Sequence, residues 1–332
     1  MNPAPSALEG FFYHERQCWM NIEFVEYEMD QSIIAPVIYG AMPHRTTNKG
    51  VRLSASIVQE LEHFFSLYPC PTIIEKCYAQ RQGLPTYFRG DAYFDGERLW
   101  ILEVNGAFVD GWGTALNLAR SCGISVDSSK LVFPQTFACT SPVYAPEMNL
   151  WLREMAKLGK PLGTIVRAQP QPSHYLEPTY VYGRGGMGDP NLFPYCGSLL
   201  DQKRFLYYME RQWKGDLVKI PKHYRSPGTS WDELPRDVVL KFDDKSSEEC
   251  QRARASVLMG KPKGKAPFLK RSFQSRQLIG QERIEPTKID GKSCQLIIMV
   301  IGSTPVTGYV QYSHRQIIND DSVHGPLELM CS

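Results

Sequence analysis

Apolar and polar residues alternate in two short segments that flank a strong turn signal. The segments are Phe88–Phe94 and Leu99–Val104, and Asp95-Gly96 lies between them. Alternation of this kind is typical of strands, and an Asp-Gly pair favours a tight hairpin turn. The pattern therefore predicts a β-hairpin in the first third of the chain.

Other segments have the helical spacing of apolar residues or form short apolar runs. The predicted helices are Ser56–Leu67, Thr114–Ser121, Glu147–Leu158, Asp201–Trp213 and Ser246–Met259. The predicted strands are Leu131–Phe133, Gly163–Val166, Val238–Phe242, Leu278–Ile284, Cys294–Ile301 and Val306–Tyr312. The segments predicted to be irregular are Met1–Ser54, Gln169–Gly188 and the basic run Lys261–Arg271.

The strand–helix–strand order between Leu131 and Val166 is typical of a small α/β unit. Helices and successive strands follow it, so the chain as a whole is predicted to have an α/β (α+β) fold. We divide it into residues 1–125, which contain the hairpin, a small α/β lobe at residues 126–198, and a further lobe at residues 199–332.

Length and composition exclude several classes of protein. The chain has 332 residues, 42% of them hydrophobic, which is enough for a buried core. Its net charge of +2 gives no reason to expect a nucleic-acid or membrane surface. The nine cysteines are odd in number and lack C-x-x-C spacing, which argues against zinc and against a disulfide framework. With no leader and no apolar run of about 18–20 residues, we expect a cytoplasmic protein.

The predicted hairpin places four polar side chains together. Arg89 and Asp91 lie two residues apart on the first strand and share a face. Glu103 and Asn105 do the same on the second strand, and the turn brings Asp91 opposite Glu103. Two carboxylates and an amide oxygen suit Mg²⁺ beside substrate phosphates, and an arginine suits a transferring phosphoryl group. The alternative is an ordinary salt-bridged surface strand.

Arg-x-Asp followed about a dozen residues later by Glu-x-Asn resembles the metal-binding hairpin of ATP-grasp ligases. The resemblance implies that Asp91, Glu103 and Asn105 ligate Mg²⁺. It also implies a catalytic role for Arg89, which would stabilise the acyl-phosphate and tetrahedral states. The glycine-rich run Gly106–Gly113 would then bring backbone N–H groups close to an oxyanion, although a plain turn explains it equally well.

A later stretch resembles the nucleotide-binding half of the same family. Its parts are Asp201-Gln202-Lys203, Ile220-Pro221 and Val238–Lys241, in the family's order. The resemblance implies that Lys203 and Lys241 contact the phosphates of ATP. The alternative is that each is a solvated lysine.

The segment Leu278–Pro286 resembles the hinge strand that holds adenine in ATP-grasp enzymes. The resemblance implies that Gln281, Glu282 and Ile284 form this part of the cofactor site. An ordinary strand with polar ends is the alternative.

The chain departs from the family pattern at two places. The family's glycine-rich lid is missing after the second lysine, so either the lid is atypical or Lys245 and Ser246 take over its contacts. The family's late arginine is replaced by Gln311, which leaves Arg315 as the candidate catalytic contact to phosphate.

Because the hairpin precedes the lysines, the resemblance is to the circularly permuted ATP-grasp group, of the glutathionylspermidine synthase type. It implies an ADP-forming carboxylate–amine ligase that makes an amide bond through an acyl phosphate, with residues 199–332 as the nucleotide-binding lobe. The implied cofactors are ATP and Mg²⁺, and the implied partners are a small carboxylate and a small amine. A small-molecule kinase on the same fold and an inactive nucleotide-binding scaffold stay open as alternatives.

Overall fold

The protein was analysed as a computed structural model. The structure describes residues 21–40, 42–69, 73, 84–139, 141–163, 165–167, 178–182, 192–193, 198–245, 247–315, 318 and 322–330. The strands are β1 (Ile22–Glu26), β2 (Val37–Ile38), β3 (Met42–Pro43), β4 (Lys49–Leu53), β5 (Tyr87–Phe94), β6 (Leu99–Asn105), β7 (Thr136–Cys139), β8 (Ile165–Arg167), β9 (Thr179–Tyr182), β10 (Leu192–Phe193), β11 (Val218–Lys219), β12 (His223–Tyr224), β13 (Val239–Phe242), β14 (Val257–Met259), β15 (Leu278–Gln281), β16 (Lys288–Ile289), β17 (Lys292–Ile301), β18 (Thr304–Ser313) and β19 (Val323–Leu329). The helices are α1 (Ala55–Leu67), α2 (Trp112–Ser121), α3 (Ala145–Lys157), α4 (Arg204–Gln212), α5 (Glu248–Ala253) and α6 (Ala266–Gln274).

The largest sheet in the described part of the chain has nine strands and contains the predicted hairpin as β5 and β6. Its order is β1-β4-β19-β18-β17-β5-β6-β11, and β16 pairs with β17. The β4–β19 and β6–β11 pairs are parallel and the other pairs are antiparallel. The architecture is therefore a mixed α+β fold. This sheet joins strands from residues 22–105 with strands from residues 218–329. The division of the chain into residues 1–125, 126–198 and 199–332 stays a prediction.

The prediction that Met1–Ser54 is irregular is wrong for the strands at its C-terminal end. Ile22 of β1, together with Val51 and Leu53 of β4, is almost completely buried. β4 pairs with β1 and also with β19, which lies far away in the sequence. Burial against a distant strand fixes these residues in the sheet, and no local pattern reports such a partner.

The small α/β lobe contains four parallel strands in the order β10-β9-β7-β8, with α3 between β7 and β8. The prediction of a strand at Leu131–Phe133 is wrong, because the strand in this region is β7, which begins at Thr136. Phe133 is buried in a loop and stacks on Tyr87 with ring centroids 5.4 Å apart. Its apolar character thus reflects aromatic packing. Within Gln169–Gly188, predicted to be irregular, residues 179–182 form β9 and residue 178 is irregular, whereas residues 169–177 and 183–188 lie outside the described residues.

A third sheet is antiparallel, in the order β12-β15-β13-β14. The single helix predicted for Ser246–Met259 is wrong, because α5 ends at Ala253 and β14 follows. Arg254 takes a left-handed conformation with φ 54°, which ends the helix and lets β14 pair with β13. The basic run was also wrongly predicted to be irregular. Its second half lies in α6, which buries Leu269 and Phe273.

The packing of α2 on α3 depends on Gly113. A Cβ atom at this position would lie 2.6 Å from both the Glu147 carbonyl oxygen and the Trp151 backbone nitrogen. We expect Gly113→Ala to lower the free energy of unfolding by about 1–3 kcal/mol, because the two helices must separate. Urea denaturation measures this loss. Gly264→Ala is the control, since a Cβ there meets no atom within 4 Å. Equal stability of the two variants would contradict the close-packing argument.

No helix among the described residues is both long enough and apolar enough to cross a membrane.

Candidate active site

The hairpin brings the four predicted polar residues side by side. Arg89 pairs with Asn105, and Asp91 pairs with Glu103. The register shifts immediately afterwards, between Asp91 and Ala92. The predicted cross-strand approach of Asp91 and Glu103 is confirmed, but it depends on this shift. Beside the turn Ala92 pairs with Ile101, and the same register would set Asp91 opposite Leu102.

Arg89 holds two carboxylates at once. Its Nε and Nη2 atoms donate to the two oxygens of Asp91 at 2.9 Å and 3.2 Å, and its Nη1 atom donates to Asp110 Oδ1. Burial alone would lower the pKa of Arg89, but these two acids hold it well above its usual value. Burial raises the pKa of the Asp91 carboxyl, and Arg89 opposes that rise. The guanidinium therefore stays charged and orients both acids.

Asp110 was not predicted as a site residue. It is 8% exposed, and its Oδ2 atom accepts a hydrogen bond of 2.6 Å from the Tyr39 hydroxyl. Its sequence signal was weak, because it is a single acid in a glycine-rich run. Only the fold brings Tyr39 and Arg89 to it.

Glu103 lies between two lysines. Lys203 Nζ donates to Glu103 Oε1 at 2.9 Å, and Lys245 Nζ donates to the same oxygen at 2.6 Å. Burial would raise the pKa of Glu103, but the neighbouring lysines hold it well below its usual value. Glu103 is therefore ionised at neutral pH, and it raises the pKa of Lys245 against the effect of burial.

Lys241 is buried, and no carboxylate of the described residues contacts its ammonium directly. Its Nζ atom donates to the Leu102 carbonyl oxygen at 2.9 Å, and Gln281 Nε2 donates to the same oxygen at 3.0 Å. Burial lowers the pKa of Lys241 to about 8. A buried ammonium with one neutral acceptor is poorly compensated and would gain from a nearby anion.

The side-chain amide of Asn105 lies between Glu103 and Arg89, and the residue is 4% exposed. In its satisfied orientation the nitrogen donates to Glu103 Oε1 at 2.8 Å, and the oxygen accepts from Arg89 Nη2 at 3.1 Å. The amide thus links the arginine to the acid across the hairpin.

These groups border a cleft of about 820 Å³ between the hairpin and the third sheet. Such a volume suits a nucleotide-sized ligand. Leu102, Val239 and Met259 give the cleft an apolar wall. Lys203 and Asn105 adjoin it through their contacts with Glu103. The predicted site residues that line it directly are Arg89, Asp91, Glu103, Lys241, Gln281, Glu282 and Ile284.

Arg315 is not brought to this cleft. Its side chain is exposed, and its backbone N–H donates to Ser313 Oγ at 3.1 Å. Lys245 lines the cleft instead. Ser246, the other residue considered for the missing lid, lies outside the described residues.

Asp243 follows the second lysine but does not add a negative charge to the cleft. Its Oδ1 atom accepts from the Arg204 backbone N–H at 2.8 Å, and its Oδ2 atom lies 2.5 Å from the Arg204 guanidinium. This acid therefore anchors the start of α4. Asp243 does not line the cleft, and the Arg204 guanidinium offsets its charge.

The donor set of the hairpin fits a magnesium ion that shares its ligands with phosphates. Across the described residues, no group of three or more His, Cys, Asp or Glu side chains is placed to hold a metal ion. Mg²⁺ commonly uses only one or two protein carboxylates when substrate phosphates complete its coordination. Asp91 and Glu103, with the Asn105 amide between Glu103 and Arg89, meet that smaller requirement.

Comparisons with known proteins identify no family. No family model matches the chain, and no curated protein matches it. Among solved structures, it is similar to a "Putative gamma-glutamylcysteine synthetase" from Methylobacillus flagellatus KT, with a TM-score of 0.44 and 11% sequence identity. That match covers 80% of this chain and 84% of the other.

Proposed function

We propose that the protein is an ATP-dependent carboxylate–amine ligase with a circularly permuted ATP-grasp fold. The observation that carries the proposal is the arrangement around one cleft of two hairpin acids, one arginine and three lysines. Lys203 and Lys245 contact Glu103 directly, and Lys241 lines the same cleft. A site with this excess of positive charge favours a polyphosphate over a free metal ion.

In this proposal the nucleotide occupies the 820 Å³ cleft. Lys203, Lys241 and Lys245 bind its phosphates. The adenine lies on the apolar wall, with Gln281, Glu282 and Ile284 beside it. Lys245 takes the phosphate contact that the sequence had assigned to Arg315, because Lys245 lines the cleft and Arg315 does not.

Asp91, Glu103 and Asn105 would hold Mg²⁺, which supplies neutralisation of phosphate charge when bound. The two lysines that contact Glu103 in the free protein then bind the phosphates instead of this acid. Arg89, oriented by Asp91 and Asp110, donates to the oxygen that gains charge as the acyl group reacts. The small carboxylate takes the γ-phosphoryl group and ADP leaves. The amine then forms the amide bond and phosphate leaves.

The test is trapping of the acyl phosphate with hydroxylamine. The protein is incubated with ATP, Mg²⁺ and panels of small carboxylic acids, and ADP and hydroxamate are measured. We expect at least one acid to give both products in equal amounts, with neither formed when the acid is omitted. A phosphorylated product that resists hydroxylamine would instead indicate a kinase. Nucleotide binding without ADP release across the panel would indicate an inactive scaffold, and either result overturns the proposal.

Nucleotide affinity should depend on pH through Lys241. Its pKa of about 8 means that the ammonium is charged below pH 8 in the free protein and loses its proton above it. A bound phosphate favours the charged form, so binding above pH 8 requires proton uptake. We expect the affinity for ATP to fall by up to about tenfold per pH unit there. Lys241→Arg should bind with a flatter profile, whereas Lys219→Arg, outside the cleft lining, should follow the wild type. A wild-type affinity that is constant from pH 8 to 9.5 would contradict this assignment.

A further inference from the structure

A second, smaller pocket shares Arg89 and Asp91 with the large cleft. Its volume is about 100 Å³. Polar side chains line most of it, with Ile38 and Ile297 as apolar neighbours. Six of the polar side chains in its lining are those of Tyr39, Asp110, Thr114, Tyr309, Gln311 and His324. None of these six was predicted as a site residue, and the proposed nucleotide site uses none of them as a direct contact.

The charge of this small pocket is opposite to that of the cleft. Asp91 and Asp110 contribute two carboxylates, and Arg89 contributes one positive charge. His324 adds none at neutral pH, because burial lowers its pKa to about 3. The pocket therefore carries one excess negative charge. In the cleft, by contrast, the residues assigned to bind phosphate and metal include more basic than acidic side chains.

Asp110 is the group best placed to recognise a cation in the small pocket. Arg89 and the Tyr39 hydroxyl each take one lone pair of its carboxylate, on different oxygens. Each carboxylate oxygen has a second lone pair, so Asp110 keeps acceptor capacity toward the pocket. Gln311 and Thr114 supply further oxygen acceptors along the lining.

We infer that this pocket binds the primary ammonium group of the second substrate, with Asp110 as its recognition residue; this rests on the proposed ligase function. A volume of about 100 Å³ admits an ammonium group with a short carbon stem. It excludes a nucleotide. Because the pocket shares Arg89 and Asp91 with the cleft, the nitrogen lies beside the place where the acyl phosphate forms.

The chemical step follows from this position. One proton passes from the ammonium to Asp110, and the free nitrogen lone pair attacks the acyl carbon. The carbon–nitrogen bond forms as the bond between that carbon and the phosphate oxygen breaks, and the phosphate leaves with the electron pair. A second nitrogen proton leaves with the phosphate, so one amide and one hydrogen phosphate are produced.

The test uses three small probes of similar size: ethylammonium, ethanol and propionate. Their binding to the nucleotide-free protein is measured by saturation-transfer NMR. We expect ethylammonium to bind and the other two not to bind. Asp110→Asn should weaken ethylammonium binding by about tenfold to a hundredfold, the range for a lost hydrogen bond to a charged group. Gln311→Glu should strengthen it, because it adds a second excess negative charge. Asp237→Asn, an exposed change of the same kind, is the control and should leave binding unchanged.

Three results would overturn the inference: preferred binding of propionate, equal ethylammonium binding by wild type and Asp110→Asn, or no ethylammonium binding up to about 100 mM. Gln311→Glu keeps the test decisive if Asp110→Asn is poorly folded, because its expected effect is a gain. The measurement contains no ATP, so it is independent of ligase turnover. Ammonium binding with no hydroxamate formation in the earlier assay would count against the ligase function alone, and hydroxamate formation without ammonium binding would count against the pocket alone.

Discussion

Replacing Glu103 by Gln is expected to lower ATP-dependent product formation by about 10²–10³-fold, the loss typical of removing one group that stabilises the reacting charge. The substitution keeps the size of the side chain and removes its charge. The proposed metal site then has one carboxylate instead of two. The two lysines that contact Glu103 lose their shared counter-charge.

Glu103→Gln should not weaken nucleotide binding, although it lowers product formation. Without the Glu103 carboxylate, Lys203 and Lys245 lose the anion that both contact, so they no longer have to release it before they meet a phosphate. We therefore expect ATP measured without Mg²⁺ to bind to Glu103→Gln at least as tightly as to the wild type. A simple loss of folding would weaken binding and turnover together, so this split separates the two explanations.

The control for this prediction is Glu97→Gln, which makes the same chemical change at an exposed position on the same hairpin. Its turnover and its nucleotide affinity should match the wild type. If the turnover of Glu103→Gln lies within about twofold of the control, Glu103 has no part in the reaction, because loss of a metal ligand lowers turnover far more than that.

Replacing Arg89 by Met is expected to lower the free energy of unfolding by about 3–5 kcal/mol, as when one partner of a buried ion pair is removed. Arg89 is the direct ion-pair partner of both Asp91 and Asp110, and the three side chains are between 11% and 20% exposed. Methionine fills much of the volume but leaves two largely buried acids without their ion-pair partner. Urea denaturation at neutral pH measures the loss.

A double variant tests the physical cause. Adding Asp110→Asn to Arg89→Met removes one of the uncompensated charges, so part of the lost stability should return. Arg98→Met, at an exposed position of the same hairpin, should change stability by less than about 0.5 kcal/mol. If Arg89→Met and Arg98→Met cost the same, or if the double variant is less stable than Arg89→Met, ion pairing does not account for the role of Arg89.

Two segments form other elements than their local patterns predict, and the cause is the same for both. Leu131–Phe133 has the composition of a strand but is a loop that buries Leu131 and Phe133, and residues 257–259 end a predicted helix yet form β14. In both cases the local pattern does not show which distant segment the residues contact. The pairing of β14 with β13 and the stacking of Phe133 on Tyr87 depend on contacts between segments that are separated along the chain.

Apart from the bulge that sets Asp91 opposite Glu103, the sequence by itself determined the hairpin and the faces that Arg89 shares with Asp91 and that Glu103 shares with Asn105. It could do so because alternation and an Asp-Gly turn act within a few residues. Only the tertiary structure decided which charges meet them. Arg89 and Asp110 are 21 residues apart, and Glu103 and Lys245 are 142 apart. Such contacts, and the small acidic pocket beside the basic cleft, exist only after distant segments are packed together, because ion pairing depends on distance in space and burial.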